Sequence, residues 1–179
     1  MKYMKPFIVL TIFSFIGGCA MSPEIDYEAE KAKVEEAVRA SIEWACPDKD
    51  TERLYGAIAK DPSFFIFHPD SASTIKGFEA FRQMTESFFM RDDFHATSSD
   101  IRDLRINLSR SGDVAWFSAI LDDRGNFQGR PYAWLNTRWT GVLEKQEGAW
   151  LIKQMHFSFA SDAKEETESQ DTSEGDEQP

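Results

Sequence analysis

Apolar residues recur at helical spacing in the first half of the chain. Within residues 27–45 they stand three and four positions apart, with Glu and Lys between them, and Pro47 follows just past the end. This pattern predicts an amphipathic helix with one buried face. A second, short helix is predicted after Asp50 or Thr51, because either side chain can cap it, and a third is predicted to open at Gly77.

The spacing of apolar residues changes to two beyond Phe94. Alternation of this kind is typical of strands, and the polar or glycine-containing stretches between the runs mark turns. An earlier apolar run, residues 64–68, lies between two prolines and predicts a short strand of its own. The strands predicted after Phe94 cover residues 104–108, 114–121, 131–145 and 149–159, with residues 122–129 as a polar hairpin loop and 146–148 as a tight turn.

Helices that precede a meander of strands predict the α+β class. Three N-terminal helices are expected to pack on one face of a mostly antiparallel sheet. Residues 27–160 are enough for one domain with a sizeable core, and no repeat or linker interrupts them.

The last predicted strand, "GAWLIKQMHFSF" at residues 148–159, mixes apolar and polar residues on one face. Side chains alternate between the two faces of a strand. Strict alternation therefore predicts one shared face for Trp150, Ile152, Gln154, His156 and Ser158. This face is apolar at the start of the strand and polar at its end. It could form the floor of a ligand pocket, or a core whose edge reaches water.

Three stretches resemble one known family. They are Gly77 leading into "FEAFRQM", "SGDVAWFSA" at residues 111–119, and "RWTGVLEKQEGAWLIKQMHFS" at residues 138–158, with its Gly-x-Trp and terminal His-x-Ser. In this order they are similar to the SnoaL-like branch of the NTF2-like (ketosteroid-isomerase-like) superfamily, across residues 27–160. The resemblance implies a cone of curved sheet and helices that holds a small ligand. It implies no particular reaction, because the same scaffold serves isomerases, cyclases, dehydratases and binding proteins.

His156 is the candidate catalytic residue, since an imidazole can donate, accept or shuttle a proton near neutral pH. The alternative is a hydrogen-bonded core histidine. Residues that could bind a ligand in the same pocket are His68, Trp116, Tyr132, Arg138, Gln154 and Ser158. For Arg138 the alternative is a salt bridge, and for the aromatic residues it is a place in the core or in a dimer interface.

The resemblance also implies a carboxylate base in the isomerase branch, which the sequence does not locate. Asp103, Asp122 and Asp123 stand where solvated residues are expected, so we predict surface carboxylates at all three positions.

No cofactor or metal is expected from the motifs of the chain. It has no phosphate loop and no dinucleotide fingerprint, and its three histidines, His68, His95 and His156, are scattered. The formal net charge is −11 and no basic stripe interrupts it, which argues against a nucleic-acid partner.

The N-terminus reads as a targeting segment. Lys2 and Lys5 precede a short apolar stretch that ends in Ile-Gly-Gly-Cys19, which resembles the lipobox of bacterial lipoproteins. Residues 1–19 are therefore predicted to be a signal peptide with its lipidated cysteine. The predicted location is the bacterial cell envelope, and the outer membrane facing the periplasm if the organism is Gram-negative. The alternative is ordinary secretory cleavage after Ala20.

The C-terminal residues 161–179 carry eight carboxylates against one lysine and almost no apolar side chain. Such a segment cannot bury enough surface to offset its ordering entropy, so it is predicted to be a disordered acidic tail.

Three functions are compatible with these observations. The first is a lipid-anchored domain that binds a small, largely apolar molecule or acts as a scaffold, without catalysis. The second is an enzyme of the ketosteroid-isomerase-like type, in which His156 is acid or base on a cyclic or carbonyl substrate. In the third, the outer face of the sheet forms a homodimer or docks another envelope protein.

Overall fold

The computed structural model describes residues 25–70 and 73–160. The predicted signal peptide, the lipidation site Cys19 and the tail at 161–179 lie outside these residues. No helix within the described ranges is both long and apolar enough to cross a membrane. The helices and strands found there are α1 (Tyr27–Glu43), α2 (Thr51–Gly56), α3 (Phe78–Met84), β1 (Phe65–Phe67), β2 (Ile75–Lys76), β3 (Phe94–Leu108), β4 (Val114–Phe127), β5 (Arg130–Gln146) and β6 (Ala149–Ser158).

Helix α1 begins and packs as its sequence pattern predicts. The Asp26 carboxylate caps it by accepting a hydrogen bond from the Ala29 amide at 3.1 Å. Its buried face includes Val34, Val38 and Ser41, which lie against the sheet. Helix α3 continues into a single π-helical turn, Thr85–Phe89, which the sequence pattern did not distinguish from the helix.

The strands form one curved sheet in the order β2-β1-β6-β5-β4-β3. All neighbours are antiparallel except β1 and β6, which run parallel. This confirms the α+β class and the mostly antiparallel sheet. The helices cover one face of the sheet, here called the inner face, where Phe117, Trp139 and Phe157 are buried. The opposite face, here called the outer face, carries no helix among the described residues.

A β-bulge in β6 changes which side chains share a face. Val142 pairs with Gln154, but the next residue of β5, Leu143, pairs with Ile152, so Lys153 has no partner across the strand. The extra residue reverses the alternation. Beyond it, the inner face receives Met155 and Phe157, which are buried, and the outer face receives the even-numbered residues. The shared face predicted for the whole strand is therefore wrong.

The predicted hairpin loop at residues 122–129 is also wrong, because β4 and β5 stay paired almost to their tips. Asp123 pairs with Trp134 and Phe127 with Arg130, so the turn consists of Gln128 and Gly129 alone. The polar residues that suggested a loop are accommodated on the two faces of a strand.

Candidate functional site

A cavity of about 590 Å³, partly open to solvent, lies between the helices and the inner face of the sheet. Its wall is mainly apolar and aromatic, with side chains from α1, α3, the π-helical turn and five of the strands. The apolar side chains that line it are Ile42, Trp44, Ala45, Ile66, Phe81, Met84, Phe88, Phe89, Phe94, Ala96, Leu121, Phe127, Trp134, Met155 and Phe157.

Asp123 places a carboxylate in this wall. It stands on β4 two residues after buried Leu121, so the alternation of the strand turns it inward. The Ser99 hydroxyl on the neighbouring strand donates a hydrogen bond to its Oδ1 at 2.6 Å. Burial raises the pKa of the Asp123 carboxyl, because taking the carboxylate out of water disfavours its charged form more than the Ser99 bond favours it. The prediction that Asp123 is a surface carboxylate is wrong.

Tyr132 lies in the same wall, on the strand next to Asp123. Its ring stacks on Phe94 with centroids 5.7 Å apart. Its hydroxyl passes close above Gly125, where a side chain would overlap it. Burial, followed by the negative charge of Asp123, raises the pKa of the Tyr132 hydroxyl, which therefore stays protonated and can donate a hydrogen bond.

His68 follows strand β1 and is held in the wall by aromatic contacts. It stacks on Phe157 at 5.6 Å and meets the edge of Trp134 at 6.1 Å. Its Nδ1 lies 2.7 Å from the backbone carbonyl oxygen of Ser73. Because a carbonyl oxygen only accepts, Nδ1 must carry the hydrogen, and in the neutral ring Nε2 is then an acceptor.

Three further polar side chains line the cavity. The Ser41 hydroxyl donates to the Val38 carbonyl in its own helix at 2.8 Å. The Ser73 hydroxyl donates to the Asp70 carboxylate at 2.5 Å. None of the described residues that line the wall is a lysine or an arginine.

Two of the predicted ligand-binding residues, His68 and Tyr132, line the cavity. The others lie outside it, on the outer face of the sheet. These residues lie on neighbouring strands, and residues that pair across adjacent strands point to the same face of the sheet. His156 pairs with Thr140, and Arg138 pairs with Ser158. Gln154 pairs with Val142, which in turn pairs with Trp116.

His156 is exposed, and its ring lies 6.0 Å from that of exposed Phe67. It therefore cannot act inside this cavity, although its role as an acid or base stays an untested prediction. The alternative of a core histidine is also wrong, because its side chain is not buried.

Two groups of residues that line the cavity were not identified as site residues from the sequence. The strand period did contain a signal for Asp123, which continues the inward series of Ala115, Phe117, Ala119 and Leu121. Phe88 and Phe89 of the π-helical turn were not among the predicted site residues, although both line the cavity.

No group of three or more His, Cys, Asp or Glu side chains within residues 25–70 and 73–160 is arranged to hold a metal ion. Asp123, Asp70 and His68 are the cavity residues that carry ligand atoms of the right type, and they are not gathered into one such group.

Comparisons with known proteins agree on the fold. The family model for a SnoaL-like domain matches residues 34–162. No curated protein sequence matches the chain. Among solved structures, an NTF2-like superfamily protein from Salmonella enterica serovar Typhimurium has a TM-score of 0.65 and 14% identity, covering 77% of this chain and 97% of its own.

Two other similar structures carry more specific names. A protein from Novosphingobium aromaticivorans, provisionally named a scytalone dehydratase, has a TM-score of 0.61 and 12% identity, covering 73% of this chain and 83% of its own. The association domain of CaMKII from C. elegans has a TM-score of 0.52 and 19% identity, covering 74% of this chain and 99% of its own. At these identities the similarity is evidence for the fold alone.

Proposed function

The chain belongs to the SnoaL-like family of the NTF2-like superfamily, and we propose that its cavity binds a small, largely apolar molecule. The observation that carries the proposal is the wall of the cavity. It is built mainly from aromatic and aliphatic side chains, with a few polar groups among them. Pockets for small organic ligands have this composition, and their volumes are on the order of 300–1,000 Å³. The cavity, at about 590 Å³, lies within that range.

A neutral, environment-sensitive dye such as Nile red tests this proposal with residues 20–160. Ala96 lies in the wall on β3, so Ala96→Leu adds three carbon atoms to the cavity and should weaken dye binding at least about tenfold. Ala133→Leu is the matched control, because Ala133 is an exposed strand residue outside the wall. Equal dye affinity in both variants would contradict binding in the cavity. Native mass spectrometry of the wild type would identify any molecule that copurifies.

The polar groups of the cavity favour a second candidate function, an enzyme that uses general acid–base chemistry. A carboxyl whose pKa is raised by burial, such as Asp123, and an imidazole nitrogen that accepts hydrogen bonds, such as His68 Nε2, are groups that can donate and accept protons in general acid–base catalysis. This candidate moves the proposed chemistry from His156 to Asp123 and His68. Exchange of α-protons of cyclic ketones in D₂O, followed by NMR, tests it. Exchange accelerated by the wild type and abolished in Asp123→Asn would favour the enzyme over the binding protein.

Exposed aromatic side chains on the outer face of the sheet favour the formation of a homodimer. Trp116 and Phe67 expose 47% and 49% of their surface there. Apolar side chains that share an open sheet face are typical of association sites. A domain of similar fold is named an association domain. Light scattering coupled to gel filtration should give twice the monomer mass, and Trp116→Glu should reduce it to the monomer. A monomeric wild type would contradict this assignment.

The envelope location rests on Cys19 and its lipobox-like context. Full-length protein should label with a radioactive or alkyne fatty acid and fractionate with membranes, and Cys19→Ser should do neither. If the variant still labels, or the wild type does not, simple secretion after Ala20 replaces the lipid anchor.

A further inference from the structure

The cavity contains hydrogen-bonding groups that are used within the protein and others that are not. The Ser41, Ser73 and Ser99 hydroxyls each donate to a group of the protein itself. Among the side chains of the described wall, Tyr132 keeps a hydroxyl donor that no hydrogen bond within the protein uses. The Oδ2 atom of Asp123 and the Nε2 atom of His68 are acceptors in the same wall. A ligand that brings hydrogen-bond donors of its own can satisfy both acceptors.

The Asp123 carboxylate also lacks a counter-charge. Within the described residues, no lysine or arginine forms an ion pair with it, and its one hydrogen bond comes from a neutral hydroxyl. The raised pKa of the Asp123 carboxyl is the consequence of that arrangement, since a carboxylate buried without a cation is costly. A bound cation would remove that cost.

Two aromatic rings of the cavity wall already contact cations of the protein. The Lys49 ammonium lies 5.8 Å from the centre of the Phe94 ring, and the Arg91 guanidinium lies 5.4 Å from the centre of the Phe127 ring. Both rings also line the cavity. An ammonium group beside Asp123 would meet a carboxylate in a wall that is rich in aromatic rings, and both kinds of group bind organic cations.

We propose that the ligand is an organic amine with an aromatic or similarly apolar frame, whose protonated nitrogen is received by Asp123. This proposal rests on the proposed binding function and specifies its ligand class. His68 Nε2 accepts a second donor from the ligand, and the aromatic wall buries the frame. The same arrangement discriminates against carboxylates and phosphates, because the wall formed by the described residues contains no lysine or arginine to offset their repulsion from Asp123.

Three commercial compounds that share a naphthalene ring separate these cases. They are 2-(1-naphthyl)ethylamine, 2-(1-naphthyl)ethanol and 1-naphthaleneacetic acid, which are cationic, neutral and anionic at neutral pH. Affinities measured by isothermal titration calorimetry with residues 20–160 should place the amine at least about tenfold tighter than the alcohol and the acid weakest of the three.

Asp123→Asn keeps the size of the side chain and removes its charge. In this variant the advantage of the amine over the alcohol should shrink to about threefold or less, while the affinity for the alcohol stays within about threefold of wild type. Asp100→Asn is the control, because it removes the same charge from an exposed position on β3. It should leave the order of the three compounds unchanged.

The outcomes separate this proposal from the binding function itself. If the alcohol or the acid binds as tightly as the amine, and Ala96→Leu still weakens that binding, the cavity binds ligands but the amine assignment is overturned. The amine assignment is also overturned if Asp123→Asn keeps the full preference, or if none of the compounds binds. In the last case the Nile red measurement decides whether the cavity binds ligands at all.

Discussion

Replacing Glu30 tests how the first helix is attached to the sheet. Glu30 is buried, with 8% of its surface exposed, and its carboxylate binds three groups. The Trp150 indole N–H donates at 2.7 Å, the Lys145 ammonium lies at 2.7 Å, and the Lys33 ammonium lies at 2.8 Å. These contacts join α1 to the ends of β5 and β6. Glu30→Gln keeps the size of the side chain and an oxygen for Trp150, but loses the charge that holds the lysines.

The size of the effect follows from the pKa of Glu30. Hydrogen bonds from Lys145, Lys33 and Trp150, in that order, lower the pKa of the Glu30 carboxyl from its ordinary value of 4.5 to about 2. At about 1.36 kcal/mol for each tenfold change in proton affinity, this corresponds to at most ~3 kcal/mol. Lys33 is half exposed, so solvent and salt weaken its share. We expect Glu30→Gln to lower the free energy of unfolding by about 1–2 kcal/mol near neutral pH.

The dependence on pH has a definite sign. Because the pKa of Glu30 is lower in the folded than in the unfolded protein, its contribution is present above pH 4.5 and is lost as the pH falls toward about 2. The difference between wild type and Glu30→Gln should therefore be constant near neutral pH and shrink over this range. Urea denaturation of both proteins in steps from about pH 7 down to about pH 3 measures it.

Glu28→Gln is the matched control for this experiment. Glu28 lies in the same helical turn and pairs with Lys31 at 2.9 Å, but its side chain is 83% exposed. Its replacement should change the free energy of unfolding by less than about 0.5 kcal/mol. The reasoning would be refuted if both variants lost equal stability, or if the loss in Glu30→Gln were the same at all pH values.

Other substitutions test the outer face, the wall of the cavity and the tail. His156→Ala should cost less than about 0.5 kcal/mol in a thermal melt of the monomer, because its ring is exposed; a larger loss would contradict its outward position. Gly125→Ala should lower the free energy of unfolding in urea by about 1–3 kcal/mol, because a Cβ would overlap the Tyr132 hydroxyl. In Gly56→Ala the added Cβ meets open space, so this variant should be neutral or more stable by up to about 1 kcal/mol. Equal effects of the two glycine substitutions would argue against the Tyr132 position. Deleting residues 161–179 should leave the melting temperature within about two degrees, since their composition predicts no packing on the domain.

The sequence was sufficient for the α+β class and for the order of the longer elements, although the strand predicted at residues 104–108 begins earlier, at Phe94. The apolar positions of α1 predicted its buried face, and the helix ends two residues before the predicted Ala45. The short strand at residues 64–68 and the last two strands were also predicted near their observed bounds. These segments have regular periods, and one face of each is buried, so local pattern and tertiary environment agree. Strand β2, with two residues, is too short to produce a period.

The site was harder to predict because a bulge in one strand changed which side chains face inward, and because another strand was predicted to end too early. A single extra residue, Lys153, moves His156 to the outer face and brings Met155 to the inner face. The sequence of the strand gives no indication of a bulge, because apolar and polar residues alternate regularly on either side of it. In the other case, the polar residues after Leu121 suggested a turn, although β4 continues and carries Asp123 into the cavity. A buried carboxylate departs from the rule that charged side chains lie at the surface of a protein. Such departures are expected at functional sites.

The bulge in β6 is tied to a polar pair outside the cavity. The ammonium group of Lys153 contacts the carboxylate of Asp61, which lies in the segment that leads into β1. Hydrogen bonding from Lys153 first, and then from Ser63, lowers the pKa of the Asp61 carboxyl to about 2, so this carboxylate stays charged at neutral pH. The contact anchors the extra residue on the side of the sheet where β1 meets β6. The inward positions of Met155 and Phe157 depend on that residue, and so the ion pair helps decide which side chains a ligand in the cavity can touch.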